Sequence, residues 1–248
     1  MLETKDLNLF LGNKHVLKNI SLSIPVRGEI IGIMGPNGAG KSSLIKSLIG
    51  EFNATGTKLL YNKPIQQQLQ HITYIPQKAH IDLDFPISVE QVILSGCYKE
   101  IGWFRRPNKS ARDKLKQLLS DLELESLRRH RQISELSGGQ LQRVLVARAL
   151  MSESEVYFLD EPFVGIDFSS EKLIMTKIEN LKQQGKLILI IHHDLSKAKQ
   201  YFDRIILLNQ TLRYFGDSEE AMSVTRLNET FMSSTDCSDP SQRSNITC

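Results

Sequence analysis

The sequence predicts an α/β fold with a mostly parallel sheet, an N-terminal antiparallel β subdomain and an inserted α-helical subdomain. Near-continuous apolar runs at residues 28–35, 156–159 and 187–191 have the pattern of strands buried on both faces. A Gly-rich turn and a helical pattern from Lys41 to about Ile49 follow the first run. Buried strands that alternate with helices are typical of a parallel sheet, and these observations therefore indicate the α/β class.

The first third of the chain has the pattern of antiparallel strands. Residues 2–9 and 16–24 alternate between apolar and polar side chains, and residues 58–61 form a further strand-like run. Near the other end, two apolar runs flank Asn209-Gln210-Thr211 and predict a hairpin. We therefore expect antiparallel pairs beside the buried parallel strands.

A helix-patterned stretch without any buried-strand run predicts a helical subdomain inserted at about residues 86–150. Residues 99–131 contain ten Lys/Arg and five Asp/Glu, a local charge of +5, whereas the whole chain carries +3. This stretch is either a solvated helical face or a surface held near anionic lipid headgroups. The apolar pattern then stops, so we expect one domain over residues 1–225 and a disordered tail over residues 226–248.

Composition excludes several classes of protein. The 248 residues are 40% hydrophobic and 24% charged, which excludes collagen-like, fully disordered and coiled-coil chains. No apolar run approaches the ~18 residues of a membrane span, and the N-terminus lacks the plan of a secretion signal, so a cytosolic chain is expected. The small net charge does not indicate nucleic-acid binding, and three scattered cysteines suggest neither a disulfide framework nor a metal cluster.

The Gly-rich turn has the pattern of a phosphate-binding loop. GPNGAGKSS fits G-x-x-x-x-G-K-[ST] and lies between a buried strand and a helix. Glycines let backbone N–H groups face phosphate oxygens, and the helix N-terminus adds positive potential. Lys41 can reach the β- and γ-phosphates, and the Ser42 hydroxyl can ligate Mg²⁺. The residues expected around the phosphates are Gly35, Pro36, Asn37, Gly38, Ala39, Gly40, Lys41, Ser42 and Ser43.

Two adjacent carboxylates, Asp160 and Glu161, follow the second buried strand. Ligands of open α/β sheets bind at the carboxyl ends of the strands. Asp160 suits the Mg²⁺ shell, and Glu161 suits a base that orients and deprotonates an attacking water. Together with the phosphate loop, this pair predicts hydrolysis of a nucleoside triphosphate.

A third motif, LSGGQ at residues 136–140, resembles the signature of ATP-binding cassette (ABC) ATPases, and the resemblance covers about residues 1–220. Ser137 and the glycines that follow begin a helix, which makes a second anion-binding N-terminus. The resemblance implies a head-to-tail homodimer with two ATP molecules between the subunits. Each γ-phosphate then meets Lys41 of one chain and Ser137 and Gly139 of the other.

Other positions match this family residue by residue. Gln77 in TYIPQK resembles the Gln-loop residue that touches Mg²⁺ and water, and His193 in IIHHDL resembles the switch histidine that contacts the γ-phosphate, with His192 a weaker candidate. Asp167 resembles the acidic residue of the D-loop. The resemblance thus implies catalytic roles for Glu161, His193 and Gln77, Mg²⁺ ligation by Ser42, Gln77 and Asp160, and nucleotide contacts from Ser137, Gly138, Gly139, Gln140 and Asp167.

The adenine contact departs from the family pattern. The family usually stacks adenine on an aromatic residue six positions before the Leu of the second strand, and counting back from Leu17 gives Leu11, beside Phe10. Phe10 could face the core and leave Leu11 as the base contact. A small register shift would instead place Phe10 on the adenine.

A single cassette with one short helical insert resembles the separate ATPase subunit of a bacterial importer. The segments LSGCYKEIGWFRRP, DEPFVGID and HHDLSKA resemble the branch that imports manganese, zinc or iron, and manganese transporters most. The resemblance implies ATP and Mg²⁺ as cofactors, a polytopic membrane permease as partner, an extracellular or periplasmic metal-binding lipoprotein as indirect partner, and no nucleic acid. It also implies a place at the cytoplasmic face of the cell membrane.

Two other functions remain open. A soluble ABC ATPase of the iron–sulfur cluster assembly type would share these motifs, and co-purification with a polytopic membrane protein separates it from a transporter subunit. A non-catalytic nucleotide-binding module is the second, and a steady-state ATPase assay tests it.

Several apolar side chains of residues 77–106 are expected to lie at the surface, and among them Trp103 and Phe104 are next to Arg105 and Arg106 in the sequence. They form either the core of a small helical lobe or a groove that receives a short cytoplasmic helix of the permease.

Overall fold

The computed structural model describes residues 1–77, 86–98, 102, 106–127 and 132–232. Its strands, numbered in chain order, are β1 (Leu2–Leu11), β2 (Lys14–Ile24), β3 (Glu29–Met34), β4 (Thr55–Leu60), β5 (Lys63–Pro64), β6 (Ile72–Ile75), β7 (Val156–Asp160), β8 (Leu187–Ile191), β9 (Arg204–Asn209) and β10 (Thr211–Asp217). Its helices are α1 (Lys41–Ile49), α2 (Val89–Ser95), α3 (Lys109–Asp121), α4 (Gly138–Met151), α5 (Phe168–Gln183), α6 (Ala198–Tyr201), α7 (Ser218–Ala221) and α8 (Val224–Phe231).

A six-stranded sheet of order β10-β9-β3-β8-β7-β6 forms the centre of the fold. Its neighbouring strands run parallel except in the β9–β10 hairpin, which turns at Gln210 with a φ of 57°. The remaining strands form an antiparallel sheet of order β2-β1-β4-β5. The mostly parallel sheet and the N-terminal antiparallel subdomain are therefore confirmed.

The central sheet is covered on both faces, and its strands alternate between two hydrophobic clusters. In β3, Ile30 and Met34 pack in the cluster that includes the helices α2 to α5. Ile31 and Ile33 point to the opposite face and pack with α1 and the antiparallel sheet. Because both faces are buried, the strands are apolar at nearly every position, which explains the runs in the sequence.

The helices α2 and α3 lie within residues 86–150, which were expected to form the helical subdomain, and α4 extends one residue beyond them to Met151. Each begins at a polar residue whose side chain accepts a hydrogen bond from the first turn: Ser88, Asn108 and Ser137 respectively. In the described ranges, every helix is too short or too polar to cross a lipid bilayer.

The prediction of a disordered tail from residue 226 is wrong for its first residues, because α8 continues to Phe231. Ser223 accepts a hydrogen bond from the Arg226 N–H and begins this helix. The Asn209 side chain donates to the Thr230 carbonyl at 2.9 Å and ties α8 to β9. Residues 233–248 lie outside the described part of the chain.

Candidate active site

Three of the predicted site segments follow neighbouring strands. In the sheet β8 lies between β3 and β7, and all three run in the same direction. The phosphate loop follows β3, Asp160 ends β7 and Glu161 comes directly after it. His192 and His193 follow β8. The topology therefore brings these groups to one edge of the sheet, where ligands of α/β proteins bind.

The phosphate loop has a fixed shape that requires glycine at residue 40. Gly40 has a φ of 94°, and a Cβ added there would lie 2.7 Å from Leu17 Cδ2 and 3.1 Å from the Val16 carbonyl oxygen. The Ala39 carbonyl accepts a hydrogen bond from the Gln210 N–H at 2.9 Å, which connects the loop to the β9–β10 hairpin. Contacts with β2 and with the β9–β10 hairpin thus constrain the shape of the loop before α1.

The Lys41 ammonium lies inside this loop. It donates to the carbonyl oxygens of Gly35 and Pro36, both at 2.9 Å, and the side chain is largely buried. Burial lowers the pKa of Lys41, although the nearby carboxylates of Glu161 and Asp160 oppose this shift. Phosphate oxygens are stronger partners for an ammonium than neutral carbonyls, so the group suits the predicted role.

Ser42 and Asp160 meet although 118 residues separate them. The Ser42 hydroxyl donates to Asp160 Oδ1 at 3.0 Å, and the Tyr74 hydroxyl donates to Oδ2 at 3.4 Å. Burial raises the pKa of Asp160, and the hydrogen bond from Ser42 partly opposes this effect. An alcohol and a buried carboxylate beside a phosphate loop fit Mg²⁺, which binds in such sites through few protein oxygens and the substrate phosphates.

Glu161 and Gln77 are also paired, with Gln77 Nε2 donating to Glu161 Oε2 at 2.7 Å. Glu161 has a φ of 51°, a left-handed conformation that is uncommon for a residue with a side chain. Such conformations cost about 1–3 kcal/mol and tend to persist at functional sites. The backbone thus holds Glu161 in a strained turn directly after the ligand-binding end of β7.

The two histidines after β8 differ in their surroundings. His192 is only 3% exposed and contacts the rings of Phe163, Tyr201 and Phe202. Burial, with a smaller effect from His193, lowers the pKa of His192 to about 4. His193 is exposed at the sheet edge. His193 is thus the residue free to contact a ligand, and His192 belongs to the core beneath it.

The signature motif forms the start of α4, whereas the other site segments follow strands of the central sheet. Ser137 Oγ accepts from the Gln140 N–H at 3.2 Å, and Gln140 Oε1 accepts from the Ser137 N–H at 3.0 Å. A Cβ added to Gly139 would lie 2.8 Å from Ser170 Oγ and 3.0 Å from Asp167 Oδ2. The signature therefore packs against the D-loop segment, and in the described residues no hydrogen bond connects Ser137 with the phosphate loop.

Asp167 begins α5 and uses its carboxylate for that purpose. The Ser170 N–H donates to Asp167 Oδ1 and the Ser170 hydroxyl donates to Oδ2, both at 2.9 Å. These hydrogen bonds hold the pKa of Asp167 below its usual value.

Of the two arrangements left open for Phe10, the structure does not have the one in which this ring faces the core. Phe10 is 58% exposed and stacks on His15 with ring centroids 4.0 Å apart, while Leu11 is 41% exposed. The residue of this segment that faces the core is Leu9. The β1–β2 register shifts between Leu9 and Phe10, and this irregularity breaks the alternation that the sequence pattern assumed.

Sequence reasoning missed Tyr74, whose only available signal was its position in the strand before Gln77. The expected docking residues Trp103, Phe104 and Arg105 lie outside the described part of the chain, so the groove stays a prediction.

The chain is similar to known ATP-binding proteins of transport systems. A manganese transport system ATP-binding protein of Halalkalibacterium halodurans is 44% identical over 216 residues, which cover 87% of this chain and 86% of that protein. A zinc transport system ATP-binding protein of Treponema pallidum is 41% identical, with coverage of 84% and 77%. The structure of the ATP-binding subunit of an ABC transporter has a TM-score of 0.78 and 25% identity, covering 89% of this chain and 91% of that chain.

The ABC transporter family profile matches residues 17–164, more than half of the chain. That range includes the phosphate loop, the signature motif and the Asp160-Glu161 pair. The chain therefore belongs to the ABC transporter family, as one of its ATPases.

Proposed function

We propose that this chain hydrolyses MgATP to drive the import of a divalent metal, manganese in the first instance, through a separate bacterial membrane permease. The contacts of Ser42 with Asp160 and of Gln77 with Glu161 carry the proposal, because they gather Mg²⁺ ligands and a base beside the phosphate loop. The relatives named for manganese and zinc transport support a metal as the transported substrate.

In this mechanism the phosphate loop and Lys41 bind the phosphates of ATP. Ser42, Asp160 and Gln77 would hold Mg²⁺, which would neutralise charge on the phosphate oxygens. Glu161 takes a proton from the attacking water. The water oxygen bonds to the γ-phosphorus while the bond from that phosphorus to the ADP oxygen breaks. The Gln77 amide orients Glu161 through the hydrogen bond described above.

The other contacts belong to the same proposal. His193 contacts the γ-phosphate, and Ser137 and Gly139 of a second copy complete the site in a head-to-tail homodimer. Phe10, rather than Leu11, is the proposed adenine contact. Its ring is exposed and one face is stacked on His15, which leaves the other face for the base, and aromatic rings favour stacked contacts.

The proposed assembly places the chain at the cytoplasmic face of the membrane, bound to a polytopic permease that receives metal from an extracellular or periplasmic lipoprotein. Uptake of radioactive manganese in a strain that lacks this chain tests the proposal. We expect the native chain to restore uptake and Lys41→Ala to fail. If the native chain restored uptake of zinc but not of manganese, the transported metal would be zinc. Normal uptake of both metals in the strain without the chain would contradict the transport function.

Docking of the permease is tested separately at Trp103. Aromatic residues are common anchors of protein interfaces. We expect Trp103→Ala to reduce metal uptake much more than it reduces ATP binding by the purified chain. Full uptake would reject Trp103 as an anchor, and an insoluble variant would favour a role in the core.

A further inference from the structure

A buried carboxylate, Glu171, lies beneath the segment that carries His193, and no motif draws attention to it. Glu171 is 6% exposed and lies in the first turn of α5, where its N–H donates to the Asp167 carbonyl at 3.0 Å. The helix that begins in the D-loop thus places this carboxylate one turn away from Asp167.

Both oxygens of Glu171 bind residues that follow His193 in the chain. Lys197 Nζ donates to Oε1 at 2.8 Å and to Oε2 at 2.7 Å, and the Tyr201 hydroxyl donates to Oε1 at 2.9 Å. Three hydrogen bonds, two of them with an ammonium, therefore converge on one buried carboxylate. Burial and this carboxylate together raise the pKa of Tyr201 to about 12, so the phenol stays a donor.

The segment from His193 to Tyr201 is short and held at several points. Asp194 accepts hydrogen bonds from the N–H and the hydroxyl of Ser196 and begins a 3-10 turn, Leu195–Lys197, that continues into α6. Lys197 and Tyr201 are its connections to Glu171. A displacement of this turn would therefore move the backbone of His193.

The aromatic contacts of Tyr201 extend this connection to the rest of the sheet edge. The centroid of its ring lies 6.3 Å from that of His192 and 5.9 Å from that of Phe163. Phe163 is two residues after Glu161 in the chain. The ion pair joins a buried carboxylate to a partly exposed ammonium, with the Lys197 side chain 33% exposed. Ion pairs that are taken out of water add little net stability compared with apolar residues of the same shape, and their best attested use is to specify one arrangement.

We infer that Glu171 is a positioning residue for ATP hydrolysis, which holds Lys197 and Tyr201 and thereby fixes His193 relative to the D-loop helix. The inference rests on the proposed contact of His193 with the γ-phosphate. Glu171 itself touches no nucleotide in this account.

The test uses Glu171→Gln in the purified full chain, since the amide keeps the size of the side chain and an acceptor for Tyr201 but loses the ion pair. We expect kcat to fall roughly tenfold, because small displacements of catalytic groups have effects of this order or larger, while the KM for ATP changes less than about twofold. The charge-swapped double variant, Glu171→Lys with Lys197→Glu, should recover part of the kcat that Glu171→Lys and Lys197→Glu each lose, because it restores the ion pair but leaves Tyr201 without its acceptor.

The ion pair of Lys177 with Asp121 is a matched control, because it also joins α5 to another segment and its N–O distance is 2.6 Å. Asp121→Asn should leave kcat unchanged. In a His193→Ala background, measured by single turnover, Glu171→Gln should have no further effect, because the positioned group is absent.

The possible results separate this inference from the proposed function. Full kcat in Glu171→Gln alongside a slow His193→Ala overturns the inference and leaves the role of His193 intact. A normal kcat in His193→Ala overturns that role and this inference with it. An equal loss in Asp121→Asn, or a Glu171→Gln loss that persists in the His193→Ala background, also overturns the inference, because Glu171 would then act through general stability.

Discussion

Two regions of the molecule differ in how their side chains are held. The phosphate-loop edge comprises the phosphate loop with Asp160 and Glu161, and the signature edge comprises the start of α4 at Ser137 and the start of α5 at Asp167. At the phosphate-loop edge, groups far apart in sequence bond to each other, as Ser42 does to Asp160 at 3.0 Å. At the signature edge, Ser137 and Asp167 bond to the first turns of their own helices.

Exposure follows the same division. Lys41 and Asp160 are buried among their partners, whereas Ser137 and Gly138 are exposed at the N-terminus of α4. An exposed helix N-terminus is able to bind anions. One copy thus holds Lys41, Ser42 and Asp160 together and separately exposes the N-terminus of α4, so we expect each ATP to need two copies.

At the phosphate-loop edge, Glu161→Gln is the substitution with the largest expected effect on ATP turnover. The substitution keeps the shape and removes the basic oxygen, so we expect turnover to fall at least about a hundredfold while ATP binding is retained. Steady-state hydrolysis and equilibrium ATP binding measure the two effects, and the ATP-bound dimer should accumulate.

Glu155→Gln is the matched control, because Glu155 lies just before β7 and pairs with Lys186 at 2.9 Å instead of with site residues. Turnover at the native rate in Glu161→Gln would show that Glu161 is not the base.

A smaller effect, on binding, is expected from Lys41→Ala. Hydrogen bonds to charged groups contribute about 1.5–3 kcal/mol, so ATP affinity should fall about tenfold to a hundredfold. Titration with a fluorescent ATP analogue measures it.

Lys58→Ala serves as the control, since Lys58 also donates to a backbone carbonyl, that of Ser47 at 3.1 Å, but lies on β4. Equal affinities for the native chain and Lys41→Ala would reject the phosphate-loop assignment.

Motif spacing in the sequence predicts where most of the residues of both edges lie along the chain. GKS, the Asp160-Glu161 pair and LSGGQ each combine a local backbone shape with local side chains, so the sequence alone locates them. Tyr74 and Glu171 escaped notice because their partners lie 86 and 26 residues away or more. The exposure of Phe10 depends on an irregular register, which no periodicity reveals.

The smallest effect concerns stability and comes from His192, which is buried in the core beside His193. Its folded pKa of about 4 lies below the ordinary 6.5, so between these values the unfolded chain binds more protons and stability falls as the pH falls. From pH 7 to pH 5 the native chain should lose about 2 kcal/mol more than His192→Gln.

Urea unfolding at the two pH values measures this difference, with the half-buried His71 changed to Gln as the control. Equal acid sensitivity of the native chain and His192→Gln would contradict the assignment of His192 as a neutral core residue.

The complementarity of the two edges is tested most directly by mixing two defective chains. Ser137→Arg should retain ATP binding but block dimerisation, and Lys41→Ala should lack the phosphate contact. A heterodimer of the two has one composite site with both edges intact, so the mixture should show partial ATP-dependent dimerisation in analytical ultracentrifugation, absent from either variant alone. If the mixture stays monomeric with ATP while the native chain dimerises, the two edges do not form a shared site.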